Sequence, residues 1–342
     1  MRAVVIREHG GPEVLRLEER EAPAPGPREV LVRVRAVGLN HLDFWVREGV
    51  PGHVFPLPIV PGCDVAGVVE SLGPGAAGCA AGDEVVLSPG LSCGRCRACR
   101  RGDDPLCRDY GILGESRDGG CQERIVVPDT AVFAKPKGLD WPAAAVVPLA
   151  FLTAWHMLRA RAAVEPGERI LIHAAGSGVS AAAIQIAVLL GARVIATAGS
   201  AEKCARALTL GAEACVNYRE QDFVAEVRRW TGKRGVGVVV DHVGADTFER
   251  SIRCLAKGGR YVTCGATSGY ELKTDFRPVF FKSLSILGST MGSGDELAAV
   301  LELVDAGKLR PVLDEVYPLE RVADAHRRLA SREAFGKLAL TV

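Results

Sequence analysis

Four cysteines fall within one short stretch, spaced Cys93-x2-Cys96-x2-Cys99-x7-Cys107. Four thiolates at that spacing, on a segment too short and polar to build its own core, suit a tetrahedral metal. Zinc prefers four sulfurs at structural sites, and such a site leaves no position open for substrate. The chain has 11 cysteines, an odd number, and no secretion signal, so reduced thiols and a metal are favoured over disulfides. Arg95, Arg97, Arg100, Arg101 and Arg108 surround the cluster, a local pattern that also suits a nucleic-acid zinc ribbon. The net charge of +1 argues against that, because phosphate binding needs a wider basic surface.

A second constellation is Arg169-Ile-Leu-Ile-His-Ala-Ala-Gly176-Ser177-Gly178-Val179-Ser-Ala181, which continues as an apolar, alanine-rich segment to Gly191. Gly176-x-Gly178-x-x-Ala181 is the dinucleotide fingerprint with alanine at its third position. Gly176 permits the tight turn, Gly178 lets backbone approach a pyrophosphate, and Ala181 lets helix and strand pack closely. The amides of Gly178 and Val179 then face the phosphates at the positive end of the helix dipole. An acidic residue about twenty positions on would grip the ribose hydroxyls of NAD. Here Ala198 and Gly199 stand at that place, followed by Ser200 and Lys203. Without a carboxylate to repel a 2′-phosphate, the reading favours NADP(H) over NAD(H). In the alternative reading, Ser200 only caps a helix and Lys203 is solvated.

A third group lies in Val34–Asp43 and Pro58–Gly67: Asn40, His41, Asp43, Cys63 and Asp64. Such groups can polarise a carbonyl, relay a proton or bind a metal. Equally, they can be strand ends and turns, with Asp64 tying down a loop and Cys63 buried as a small apolar group.

These residues need two kinds of scaffold. With 342 residues, 48% of them hydrophobic, the chain can bury more than one core. The first 140 or so residues read mainly as β, with runs at 3–6, 30–37, 65–72 and 84–88 divided by Pro/Gly turns, and predict a separate barrel-like unit. Residues 142–161 predict one helix. Strands near 169–173, 193–197, 214–217, 236–241, 259–264 and 284–288, with helices between most of them, predict a doubly wound parallel sheet. A helix at 294–306, a strand near 311–317, a helix at 319–331 and a strand at 337–342 are expected to return to the first unit. No apolar run is read as long enough to span a membrane, and the opening MRAVVIREHG reads as strand and turn, not as a signal peptide. The expectation is a soluble cytoplasmic protein with no membrane or nucleic-acid partner.

In this order the pieces resemble the medium-chain dehydrogenase/reductase superfamily over essentially the whole chain. The resemblance implies an α/β fold: a GroES-like β-barrel domain over 1–150 with a zinc lobe at 90–110, a Rossmann domain over 151–288, and a return segment over 289–342. It implies one structural zinc on Cys93, Cys96, Cys99 and Cys107. In the superfamily's zinc alcohol dehydrogenases a Cys in G-x-C-H-x-D, a His in G-H-E and a residue of the long helix hold a catalytic zinc. Here those places read Gly38-Leu-Asn40-His41-Leu-Asp43, Gly62-Cys63-Asp64 and Pro148-Leu-Ala150, so the set is missing. Asn at position 40 is similar to the quinone oxidoreductase branch, which works without catalytic zinc and prefers NADPH.

That branch also implies Tyr218 against the 2′-phosphate, Val243 in the turn beside the nicotinamide, Gly265 near its ring, and Lys337 on the cofactor. The function expected is NADPH-dependent hydride transfer to a quinone, enone or other carbonyl acceptor. Asn40 would polarise the acceptor or position the ribose, and His41, Asp43 and Asp64 would be candidates for proton delivery. Two rivals stand beside it: a zinc-containing NAD(P)-dependent alcohol dehydrogenase, and an NADPH-binding protein without turnover. The resemblance further implies a homodimer or homotetramer acting on a small molecule.

Overall fold

Strand Glu29–Leu39 organises the first unit: Val32–Ala36 alternate between core and surface, and the residues on either side of them, Val30, Leu31 and Val37–Leu39, are buried. The computed structural model describes residues 1–342, divided into Met1–Leu152 with Gly292–Val342, and Thr153–Met291. In the first unit the sheet runs Leu313–Pro318, Lys337–Thr341, Glu29–Leu39, Asp64–Leu72, Glu84–Leu87 and Val132–Ala134, with Arg124–Pro128 also paired to Glu29–Leu39. Leu313–Pro318 and Lys337–Thr341 are parallel, joined by helix Val322–Ala330, and the other pairs are antiparallel.

Register matters most at one end of this sheet. Gly38 lies opposite Asp64 on one side and Ala339 on the other. The end of Glu29–Leu39, the start of Asp64–Leu72 and the start of Lys337–Thr341 therefore coincide. Helix Trp141–Ala145 packs on these strands, and a Cβ at Gly38 would stand 2.5 Å from the Ala145 carbonyl oxygen. Only glycine lets the helix come that close.

In the second unit six parallel strands run in the order Ala214–Asn217, Arg193–Ala198, Arg169–Ile172, Val236–Asp241, Leu255–Thr263 and Ser285–Gly288. This is the doubly wound order, reversing between Arg169–Ile172 and Val236–Asp241. Being covered on both faces, Val236–Asp241 is almost wholly buried, and its Val-rich run follows from that. Leu171, Ile195, Val216, Phe223, Val239 and Tyr261 are part of one core.

Two expectations need correction. The helix expected over 142–161 is broken into Trp141–Ala145, Pro148–Trp155 and a π-helical turn His156–Arg161. Pro148 has no N–H to donate and disfavours helical geometry at Val147. The same run, Trp141–Arg161, is nevertheless long and apolar enough to cross a membrane, contrary to the sequence reading, and its most apolar stretch is 67% buried in the fold. A core helix passes the same test of length and composition.

Candidate functional site

The lobe after Leu91 is closed at its base by the short antiparallel pair Gly90–Leu91 and Gly111–Ile112. Between Cys93 and Cys107 only Cys107 is buried, so no apolar core holds the loop. Its four sulfurs all lie within 4.8 Å of one another. Sulfurs of Cys93 and Cys99 are 3.9 Å apart, and those of Cys96 and Cys99 are 3.5 Å apart. Zinc–sulfur bonds of about 2.3 Å imply tetrahedral edges of about 3.8 Å. The cluster therefore fits structural zinc. Asp104 within the lobe accepts from Ser92 Oγ at 3.1 Å and from Gly294 N at 3.1 Å, tying the loop to the start of helix Gly294–Asp305.

The coincident strand ends assemble a different cluster. Asn40 follows Leu39 and begins helix His41–Glu48. Its Nδ2 donates to Asp64 Oδ2 at 2.9 Å, Cys63 Sγ at 3.2 Å and Gly38 O at 3.3 Å. Lys337 Nζ donates to Leu39 O at 2.6 Å, to Asp64 Oδ2 at 3.2 Å, and to Asn40 Oδ1. The other Asp64 oxygen accepts from Leu149 N at 2.7 Å, in the first turn of helix Pro148–Trp155. Burial raises the Asp64 carboxyl above its usual range, while Lys337 and Asn40 hold it down. Burial pushes the Cys63 thiol well above its ordinary value. At neutral pH Cys63 is thus a protonated thiol that accepts from an amide.

This cluster does not fit a catalytic zinc. Such a site needs three ligands and an open position, whereas here an ammonium and an amide already engage the Asp64 carboxylate. Asp43 is placed for structure: Oδ2 accepts from Asn40 N at 2.7 Å and Oδ1 from Gly62 N at 2.9 Å. Burial raises its carboxyl to about 6, against the pull of those two amides and the Lys337 charge. Gly62 has φ +99°, and a Cβ there would meet Cys121 Sγ at 2.8 Å. His41, the first residue of the helix, packs its ring against Phe44 and Trp45. The structure therefore brings Asn40 and Asp64 together with Lys337, which the sequence reading had put on the cofactor. All three Lys337 donors are engaged within the cluster, so touching a phosphate would mean releasing one of them.

In the second unit, Gly176, Ser177 and Gly178 join strand Arg169–Ile172 to helix Gly178–Leu189, at the point where the strand order reverses. Ser177 places no side-chain cap on that helix, so the first-turn amides of Gly178 and Val179 remain available to an anion. This fits a dinucleotide pyrophosphate. At the next strand end, Ser200 Oγ accepts from Lys203 N at 3.2 Å and caps helix Ala201–Thr209, the structural role foreseen as the alternative. A Cβ on Gly199 would stand 2.7 Å from the Tyr218 hydroxyl and 3.5 Å from Arg219 Nε. Tyr218 and Arg219 thus overhang the place where a ribose-binding acid would stand. Arg219 was missed in the sequence reading, although its adjacency to Tyr218 was the available signal.

Val243 N donates to Asp241 Oδ1 at 2.6 Å and its carbonyl accepts from Ser268 N at 2.8 Å, which fixes that turn. Gly265 N is held by Thr263 Oγ1 at 3.3 Å. His173 lies between Thr197 Oγ1 at 3.1 Å and Ser251 Oγ at 2.9 Å, and His242 meets Ser180 Oγ at 2.9 Å. Burial lowers both histidines below their ordinary range, so they stand as neutral hydrogen-bonding groups at neutral pH.

Residues 26–137 match the alcohol dehydrogenase GroES-like domain and residues 178–306 the zinc-binding dehydrogenase family. Quinone oxidoreductase of Homo sapiens is 32% identical over 99% of this chain and 97% of its own. The NAD-dependent alcohol dehydrogenase of Sulfolobus acidocaldarius is 32% identical, with all of both chains covered. A solved structure described as an NAD-dependent alcohol dehydrogenase superposes with a TM-score of 0.97 at 54% identity, covering 100% of each chain. A four-cysteine lobe, a dinucleotide-type turn and this likeness along the full chain lead to one conclusion: the protein belongs to the medium-chain dehydrogenase/reductase superfamily and is an oxidoreductase of that family.

Proposed function

We propose that the protein is an NADPH-dependent reductase transferring hydride to a polarised C=O or C=C acceptor, such as a quinone or an enone, without catalytic zinc. The observation that carries this reading is the self-contained cluster of Asn40, Asp64 and Lys337. It meets its own charge and hydrogen-bonding needs where an alcohol dehydrogenase would need ligands and an open coordination position. The likeness to quinone oxidoreductase supports it. For the cofactor, Tyr218 and Arg219 beside Gly199 supply a hydroxyl and a cation, and no carboxylate stands at Ala198 or Gly199.

When bound, NADPH supplies a hydride to the acceptor carbon. The chain's own part is binding, orientation and proton delivery. Amides of Gly178 and Val179 would hold the pyrophosphate. Gly199, with no side chain, would let the adenosine ribose approach the strand end, where Arg219 and Tyr218 would hold its 2′-phosphate. The amide of Asn40 is fully engaged with protein atoms, so it acts as a positioning residue, holding Lys337 and Asp64 at the strand ends. His41 is the least buried of Asn40, His41, Asp43 and Asp64. An imidazole can both donate and accept a proton, so His41 is assigned proton delivery to the oxygen of the reduced acceptor. The reading includes a cytoplasmic homo-oligomer, a dimer or tetramer.

A second reading, an NAD-dependent alcohol dehydrogenase, is favoured by the 54% identical structure of that description. Metal content and a substrate panel separate the two. One zinc per chain, with NADPH oxidised by a quinone or enone, is the expected result. Two zincs per chain with NAD-linked alcohol oxidation would establish the second reading instead.

A further inference from the structure

Helices His41–Glu48 and Val322–Ala330 pack against each other in the first unit, and each buries a basic side chain. Arg47 is 1% exposed and His326 is 0% exposed. The Arg47 Nη2 donates to Glu48 Oε1 at 2.6 Å, but Nε and Nη1 have no acceptor. Phe44 lies under the guanidinium, 4.6 Å from ring centre to Cζ, and a ring face accepts no full hydrogen bond. Asp43, four residues earlier on the same helix, is engaged by main-chain amides through both oxygens. Neither ring nitrogen of His326 has a partner.

Burial, with the Arg47 charge adding to it, lowers His326 to about 3. The ring is therefore neutral at neutral pH, with one N–H and one lone pair. The two side chains offer N–H donors at Arg47 Nε, Arg47 Nη1 and one His326 nitrogen, against a single lone pair. The Glu48 carboxylate pairs with one edge of the guanidinium, but leaving the other buried donors without acceptors is unfavourable. A water molecule would accept from these donors but bring two protons of its own, for which one ring lone pair is available. An anion brings none.

We propose that a small inorganic anion, chloride or one of similar size, binds between Arg47 and His326 and accepts from both. The complete burial of both groups rules out a large ligand. The bound ion clamps the helix that starts beside Asn40 to the helix that leads into the Lys337 strand.

The test uses full-length protein exchanged into gluconate, an anion too large for the seam. Chloride is then titrated in at constant ionic strength, so that general screening does not change. The expected result is a saturable rise in Tm of about 2–4 °C once chloride is about tenfold above its dissociation constant. Arg47→Met keeps the length of the side chain and removes the charge, a change that buried sites tolerate, and its Tm should not respond to chloride. Independently of any variant, crystals soaked in bromide should give an anomalous peak within hydrogen-bonding reach of Arg47 Nε or Nη1 and a His326 ring nitrogen. Equal Tm in chloride and gluconate with no such peak would overturn the proposal in favour of a buried water or a direct Arg47–His326 bond. A chloride response that persists in Arg47→Met overturns it as well.

Discussion

The first unit holds two clusters that a reader of motifs could take for metal centres, and they are built on opposite principles. The lobe gathers four sulfurs on a loop with one buried residue, at spacings that suit a single tetrahedral cation. The Asn40–Asp64–Lys337 cluster is buried at the meeting point of three strands and carries both of its charges itself. The donor chemistry separates four sulfurs placed to suit an ion from a carboxylate already engaged by an ammonium.

The sharpest way to break the contrast is at the lobe. Cys96→Ser should release the zinc and open the loop between Cys93 and Cys107 to proteolysis. In small peptides such sites are worth roughly 10–16 kcal/mol of apparent binding energy, of which an anchored lobe shows only part as global stability. A zinc-free variant as protease-resistant as the parent would mean the lobe needs no metal.

Next in size is Lys337→Ala, which leaves Asp64 buried without its cation. Breaking one side of a buried pair costs about 3–5 kcal/mol, read by chemical denaturation. The pH dependence has a definite sign. Burial already raises the Asp64 carboxyl, and losing Lys337 raises it further, so the folded variant holds a proton more tightly than the unfolded chain. Its deficit should be smallest in acid and widen as pH rises above the raised range in which the parent's Asp64 loses its proton. A deficit that does not change with pH would show that Asp64 is not the group left exposed to the loss.

Arg219→Ala tests the second unit and should lower NADPH affinity by about 1.5–3 kcal/mol while leaving NADH nearly unchanged. Equal losses for both cofactors would remove Arg219 from the 2′-phosphate. The smallest effect is expected from Cys63→Ala, about 1 kcal/mol or less, with turnover and zinc content unaltered. Loss of a second zinc along with all activity would instead make Cys63 a ligand. Asp43 offers a check without substitution: its carboxyl carbon should titrate near pH 6 by NMR, well above an exposed aspartate.

What could be read from the sequence was what lies close together along it. The cysteine spacing and the Gly176–Ala181 turn are complete within a few residues, and the parallel strands announce themselves as buried Val/Ile runs. The meeting of Asn40 with Lys337 spans 297 positions and depends on a register, Gly38 opposite both Asp64 and Ala339, that no local pattern encodes. Strand Arg16–Glu19, mostly exposed and charged, carries no apolar alternation to find. The apolar stretch 141–161 hid its break because Pro148 interrupts the backbone without interrupting the hydrophobicity. Arg219 went unnoticed because its meaning lies in Gly199, on the neighbouring strand.

The pairing of Lys337–Thr341 with Glu29–Leu39 has a consequence during synthesis. Glu29–Leu39 leaves the ribosome early, yet this neighbour begins 297 positions beyond Asn40. At roughly 5–20 residues per second, that edge stays unpaired for about 15–60 s while residues 40–341 are made. Asp64 meanwhile has no ammonium to meet. The second unit, continuous from Thr153 to Met291, has all of its strands before then and can fold first. The first unit cannot be completed until that strand arrives, so a chain that stops before Lys337 loses both the strand and its lysine.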